Sequence, residues 1–316
     1  MSVLRTLPQR GLPTVGAWCF LDSFGPDRVA MSVLPHPHTG LQTVTWPLLG
    51  TIRHRDSVGS DVTVRPGELN IMTAGHGVSH SEFAVLPRPG VGGGFGQGVS
   101  DDGGDLPLQR GLQFWVALPD KERDRPPAFE QHRELPVVSG VGYSATVMVG
   151  TFAGISSPAT MYSPIVGADI TGNGPFRLPL DPEFEHALLV LDGTLGIDGE
   201  LVEPGPLAYL GSGREFLDLQ AGDSTRFILL GGEPFQEEIL MWWNFVGRTH
   251  DEVAMARQEW EAQAALTESA AESARFGTVH GHGPDAGPES GRIPAPPLPA
   301  VRLRPRARGR EALPGA

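Results

Sequence analysis

Short apolar segments, broken at nearly regular intervals by glycine and proline, constrain this chain more than any other feature. Before residue 120, segments 41–49, 51–56, 62–65, 69–72 and 78–83 read as strands. They are parted by Gly50, Ser57-Val58-Gly59-Ser60, Pro66-Gly67 and Gly75-His76-Gly77, and segment 112–118 closes the series. Several short strands at this spacing predict a sandwich or barrel and not alternating βαβ units. A second series at 143–150, 187–191, 194–197, 207–210 and 226–230 makes a second β half of similar length. The pattern therefore predicts a duplicated barrel, although no literal repeat survives. The 42 glycines and 30 prolines among 316 residues fit many turns, at close to twice the usual share of about 12%. One convincing helix follows over 251–266, where Val253, Ala256, Trp260 and Ala264 recur at helical spacing. Thr249 is its expected N-cap, with Glu252 three residues on.

Beyond about residue 267 the periodicity stops. The Pro-Ala-Pro-Pro-Leu-Pro run at 294–299 lies in a stretch too poor in apolar surface to offset its ordering entropy. Residues 267–316 are thus expected to be a disordered Pro/Gly/Arg-rich tail. Its arginines from Arg302 to Arg310 are free to touch an acidic partner or the chain's own acidic body. The division expected is an N-terminal barrel over 1–120, a C-terminal barrel with its closing helix over 121–266, and the tail. The formal net charge is −13, yet residues 266–316 hold seven Arg against five Asp and Glu. The negative charge sits on the body, which argues against direct nucleic-acid binding. No apolar run approaches the ~18 residues needed to span a bilayer. A single cysteine, Cys19, excludes an internal disulfide framework and a cysteine-based zinc knuckle. With no signal peptide visible, a reducing cytoplasmic location is expected, and a monomer rather than an oligomer.

Five of the ten histidines fall between His36 and His80. Two pairs have an informative spacing: His36-Pro37-His38 and His80-Ser81-Glu82. Residues i and i+2 of a strand project from one face, so each pair can aim two ligands inward. If the segments lie close inside one small barrel, three imidazoles and one carboxylate converge. Such a set suits iron, nickel, copper, manganese or zinc, and an octahedral ion would keep two positions for substrate or dioxygen. His54 and His76 fall outside the paired spacing and are expected to support the site or lie on polar surface. His186 stands alone in the second half, which is expected to hold no metal. Residues 90–105 contain eight glycines in 16 positions. No Lys-Ser/Thr follows them and no helix pattern begins, so an inserted loop near the site mouth is expected rather than a phosphate cradle.

The run from His36 to Thr45, then His54-Arg-Asp-Ser, Arg65-Pro-Gly and Met72-Thr-Ala-Gly-His-Gly-Val-Ser-His-Ser-Glu82, resembles the signature of the pirin family. Gly111-Leu-Gln-Phe-Trp-Val-Ala-Leu-Pro119 and Gly231-Gly-Glu-Pro-Phe-Gln-Glu-Glu238 extend the resemblance, which covers about residues 14–262. It implies an all-β bicupin of two small jelly-roll barrels in tandem. It also implies a metal, Fe(II) foremost, in the N-terminal barrel, held at His36, His38, His80 and Glu82. Family members are described as quercetin 2,3-dioxygenases or as iron-dependent partners of transcription regulators. The expected activity is cleavage of a flavonol ring with O2, Glu82 accepting the substrate's hydroxyl proton. The alternative is a non-catalytic, redox-sensitive iron-binding protein acting on a protein partner. Two positions depart from the family. Gln42 stands where a glutamate is usual, so the carboxylate must come from Glu82. Trp46-Pro47-Leu48-Leu49 replaces a tyrosine-containing strand, and Pro47, lacking an N–H, argues for an edge or a bulge.

Overall fold

The computed structural model describes residues 1–86 and 106–306, so the glycine-rich stretch 90–105 lies outside the described residues, as does the end of the chain. The first half folds as two antiparallel sheets. A six-stranded sheet runs in the order Val3–Leu7, Trp18–Arg28, Leu108–Ala117, Leu41–Leu49, Leu69–Thr73, Ala128–His132. A four-stranded sheet runs Ser32–His38, Val78–Ala84, Ile52–Asp56, Asp61–Val64. The two face each other: Thr45 of the larger sheet reaches Glu82 of the smaller, and Phe129 stacks on His54. Because Ala128–His132 pairs with Leu69–Thr73, the first barrel draws in residues past 120, and its boundary lies later than the sequence pattern suggests. Pro47 sits where its missing N–H predicts a break. Pairing with Leu69–Thr73 covers only Gln42–Thr45, and the register against Leu108–Ala117 shifts between Pro47 and Leu49.

The second half is a nine-stranded antiparallel sheet system whose spine is Ile165–Pro179 against Phe216–Gly232. The barrels share a core. Trp18, Val44 and Phe114 of the first pack in one cluster with Met148, Leu189 and Ile228 of the second. Buried polar groups cross the seam in pairs, as buried donors require: Trp18 Nε1 donates to Gly231 O at 3.1 Å and Trp46 Nε1 to Asp169 Oδ2 at 2.7 Å. Gly16 has φ +51°, and a Cβ there would lie 2.7 Å from Gly232 Cα, so this approach requires glycine.

The helix runs His250–Gln263, with Thr249 Oγ1 accepting from Glu252 N at 3.2 Å and Val253, Ala256 and Trp260 buried, as the spacing predicts. No helix among the described residues is long and apolar enough to cross a membrane.

The expectation of disorder from residue 267 onward is corrected for 267–306. After a short helix, Glu268–Glu272, this segment lies along the outside of the four-stranded sheet. Phe276 is fully buried, edge-on to Trp260. Ser79 Oγ donates to Phe276 O at 2.9 Å, Ile293 N to Pro35 O at 2.8 Å, and Arg55 pairs with Glu289 at 2.6 Å. Arg302 pairs with Asp251 at 2.9 Å, so that arginine touches the chain's own acidic body. A segment rich in proline has less unfolded-state freedom to lose, so a few anchors suffice to hold it.

Candidate metal centre

Antiparallel pairing brings the two histidine segments together. His36 is the register partner of His80 across Ser32–His38 and Val78–Ala84. Strand alternation turns His80 and Glu82 inward, while Ser79, Ser81 and Phe83 face the C-terminal segment, where Ser81 Oγ lies 2.9 Å from His282 Nε2. His36, His38 and His80 are 8%, 1% and 1% exposed. Their ring centroids are 4.3–5.1 Å apart, and the Nε2 atoms of His38 and His80 approach to 3.1 Å. One ligand nitrogen from each ring falls within 4.8 Å of the others. The carboxylate of Glu82 forms an overlapping group with His80 and His54, again within 4.8 Å. The structure thus sets three imidazoles together and joins Glu82 to them through His80.

His54 is the residue the paired spacing did not single out. It is buried at the register position opposite Glu82. Its Nε2 lies 3.0 Å from Asp56 Oδ2, and its Nδ1 3.5 Å from His80 Nδ1. Asp56 is held in turn by donors from Val58 N at 3.0 Å and Ser60 N at 2.9 Å on its other oxygen. These partners assign the tautomers. His54 Nε2–H donates to the Asp56 carboxylate, so His54 Nδ1 accepts from His80 Nδ1–H, and His80 Nε2 is left bare. His36 Nδ1 donates to Leu34 O at 2.9 Å, so its Nε2 is bare too. Two nitrogens bound to one ion at about 2.1 Å each, near a right angle, stand about 3 Å apart. The 3.1 Å between His38 and His80 fits that requirement. His76 lies elsewhere, its Nδ1 3.1 Å from Arg125 O.

Burial sets the protonation states. It lowers His36 to a pKa of about 4 and holds His38 and His80 well below the ordinary imidazole value. Neutral imidazole is the form that ligates a metal. Burial raises the Glu82 carboxyl, opposed by His54 and by Thr45, whose Oγ1 lies 3.3 Å from Glu82 Oε1. Gln42, fully buried, does not join the cluster; its Nε2 donates to Thr73 Oγ1 and to Thr160 O, both at 3.0 Å. Trp115 and Phe129 wall the site, with Trp115 edge-on to His38 at 5.2 Å and Phe129 stacked on His54 at 4.6 Å.

Residues 1–116 match the family model described as Pirin, and residues 165–265 match the Pirin C-terminal cupin domain. A protein of Pseudomonas aeruginosa named "Putative quercetin 2,3-dioxygenase" is 41% identical over 305 residues, covering 95% of this chain and 86% of that protein. A crystal structure of quercetin 2,3-dioxygenase from Acinetobacter baumannii superposes with a TM-score of 0.80 at 37% identity, over 95% of this chain and 92% of that one. The bacterial pirin YhhW of Escherichia coli, solved in complex with nickel(II), shares the fold at a TM-score of 0.54 and 17% identity, over 73% and 91% of the two chains.

Proposed function

The chain belongs to the pirin family, and from that premise we propose that it is a metal-dependent dioxygenase opening a flavonol-type ring with O2. His36, His38, His80 and Glu82 are the proposed ligands. The observation that carries the reading is the 3.1 Å approach of ring nitrogens from two buried, neutral imidazoles, with the half-buried Glu82 carboxylate within 4.8 Å of His80. Iron(II) suits this mixed nitrogen and oxygen set, as do nickel, copper, manganese and zinc. When bound, the metal supplies Lewis acidity and a template for substrate and O2.

The remaining chemistry belongs to the chain's own residues. Glu82 Oε1 accepts the substrate's hydroxyl proton, and the Thr45 hydroxyl orients that oxygen. Trp115 and Phe129 pack against the imidazoles and exclude water from them. Asp56 and His54 keep His80 in the tautomer that ligates. Replacing the base should cost turnover out of proportion to metal. Glu82→Gln keeps an oxygen but cannot take the proton at neutral pH, so it should lose roughly 10²–10⁴ in rate per bound ion. Oxygen uptake and carbon monoxide release by iron-loaded protein on a flavonol panel provide the measurement. Unchanged turnover per ion removes Glu82 from the base role.

A second prediction addresses Asp56. In Asp56→Asn the amide nitrogen can donate to His54 Nε2, which reverses the tautomers of His54 and His80 and blocks His80 Nε2. Metal affinity should fall about 10–100-fold, the usual cost of losing such a partner. Titration with a competing chelator reads it, and an unchanged dissociation constant refutes the relay.

One observation favours the alternative, a non-catalytic iron-binding protein acting on a protein partner. His38 and His80 are each 1% exposed, so a flavonol reaches them only past the more exposed His36 and Glu82 or after movement of the walls. No turnover above free iron, in protein shown to be loaded with Fe(II), would make that reading the better one.

A further inference from the structure

A cavity of small-molecule size lies away from the histidine cluster. It lies in the second barrel and has a volume of about 700 Å³, within the ~300–1,000 Å³ typical of small-molecule sites. Its walls include Met161, Ile165, Leu180, Phe184 and Leu229. Several polar groups at its rim already have hydrogen-bond partners. Thr151 and Ser156 share a hydrogen bond at 2.8 Å, Ser157 Oγ donates to Met148 O at 2.7 Å, and Asp181 Oδ1 accepts from Glu183 N at 3.0 Å.

His186 is different. It lines the cavity, is 1% exposed, and its Nδ1 makes no hydrogen bond of normal length, the Phe184 backbone being its one weak partner. Burial lowers its pKa to about 4, against the opposing pull of Asp181 and the Phe184 backbone, so the ring is neutral. The backbone is shaped around it: a Cβ on Gly231 would fall 2.7 Å from His186 Cδ2. A buried polar atom without a full hydrogen bond is costly and calls for one.

We propose that this cavity is a second binding site, taking an uncharged, mainly apolar small molecule whose hydroxyl or carbonyl hydrogen-bonds to His186. An anion is disfavoured, because the imidazole brings no positive charge and Asp181 stands at the rim. The site is independent of the chemistry in the first barrel.

The test uses the full chain and 2-naphthol, a neutral fluorescent hydroxyaromatic, titrated at neutral pH. The expected result is saturable binding at one site outside the histidine cluster. His186→Phe keeps the ring and removes its nitrogens, and should weaken binding about tenfold. Met161→Trp fills the cavity and should abolish binding, while His80→Ala should leave it in place. Melting curves confirm that each variant is folded. Absence of saturable binding, or its loss in His80→Ala, overturns the site. Binding unmoved by Met161→Trp overturns the cavity as its location, and binding unmoved by His186→Phe overturns the recognition group.

Discussion

Protein carrying His36→Ala together with His80→Ala should purify with almost no transition metal, where the unaltered chain should hold about one ion. The two residues face each other across one strand pair. Each ring is aimed by a partner on its far nitrogen, Leu34 O for His36 and His54 for His80. Removing both leaves His38 and Glu82, which no longer define a pocket for an ion, and the desolvated carboxylate then gains more from a proton than from metal. The effect should far exceed the 10–100-fold expected for Asp56→Asn, because ligands are lost and not merely their orientation. Metal analysis of the folded double variant settles the assignment. Occupancy equal to the unaltered protein's, or two ions per chain before mutation, would reject a single centre at these histidines.

The legibility of this centre had a local cause. Strand side chains repeat every two residues, so His36 with His38 and His80 with Glu82 announce shared faces before any pairing is known. The register that sets His36 against His80 joins residues far apart in the chain, and no local spacing encodes it. His54 illustrates both halves of the problem. It has no i, i+2 partner among the proposed ligands, yet His54-Arg55-Asp56 carries the same i, i+2 spacing, here of a ring and its carboxylate. That pair was the signal available for a supporting histidine.

The second barrel was harder to read for a related reason. Ile165–Pro179 contains Gly167, Gly172, Gly174 and Pro175, which look like turns in sequence. In the structure the strand continues through them, with one register shift between Gly172 and Gly174. Glycine inside a long strand marks a bend as often as an end. The same ambiguity hid most of Phe216–Gly232, of which only 226–230 read as apolar enough for a strand. The boundary at 120 moved because Ala128–His132 has little apolar alternation of its own and is recruited as an edge by Leu69–Thr73.

Deleting residues 268–316 should lower the melting temperature substantially and loosen the metal centre with it. A composition argument predicts the opposite, since the segment has no periodic apolar face. Its anchors are isolated instead. Phe276 sits fully buried between Trp260 and Phe245, Val279 and Ala295 are buried further on, and Trp260 Nε1 donates to Ile293 O at 3.0 Å. Truncating the first anchor alone, in Phe276→Ala, should cost about 3–5 kcal/mol. In a chain of this size that is a fall on the order of 10 °C. The full deletion should exceed it, because it also strips Arg55 of Glu289 and bares Ser79 and Ser81. Those serines alternate with His80 and Glu82 on one strand, so the cover on the outer face steadies the proposed ligands on the inner face. Metal should therefore dissociate faster from the truncated protein than from the full chain. A truncated protein that melts within a few degrees of the full chain and keeps its metal equally well would mean that the segment rests on the barrel without supporting it.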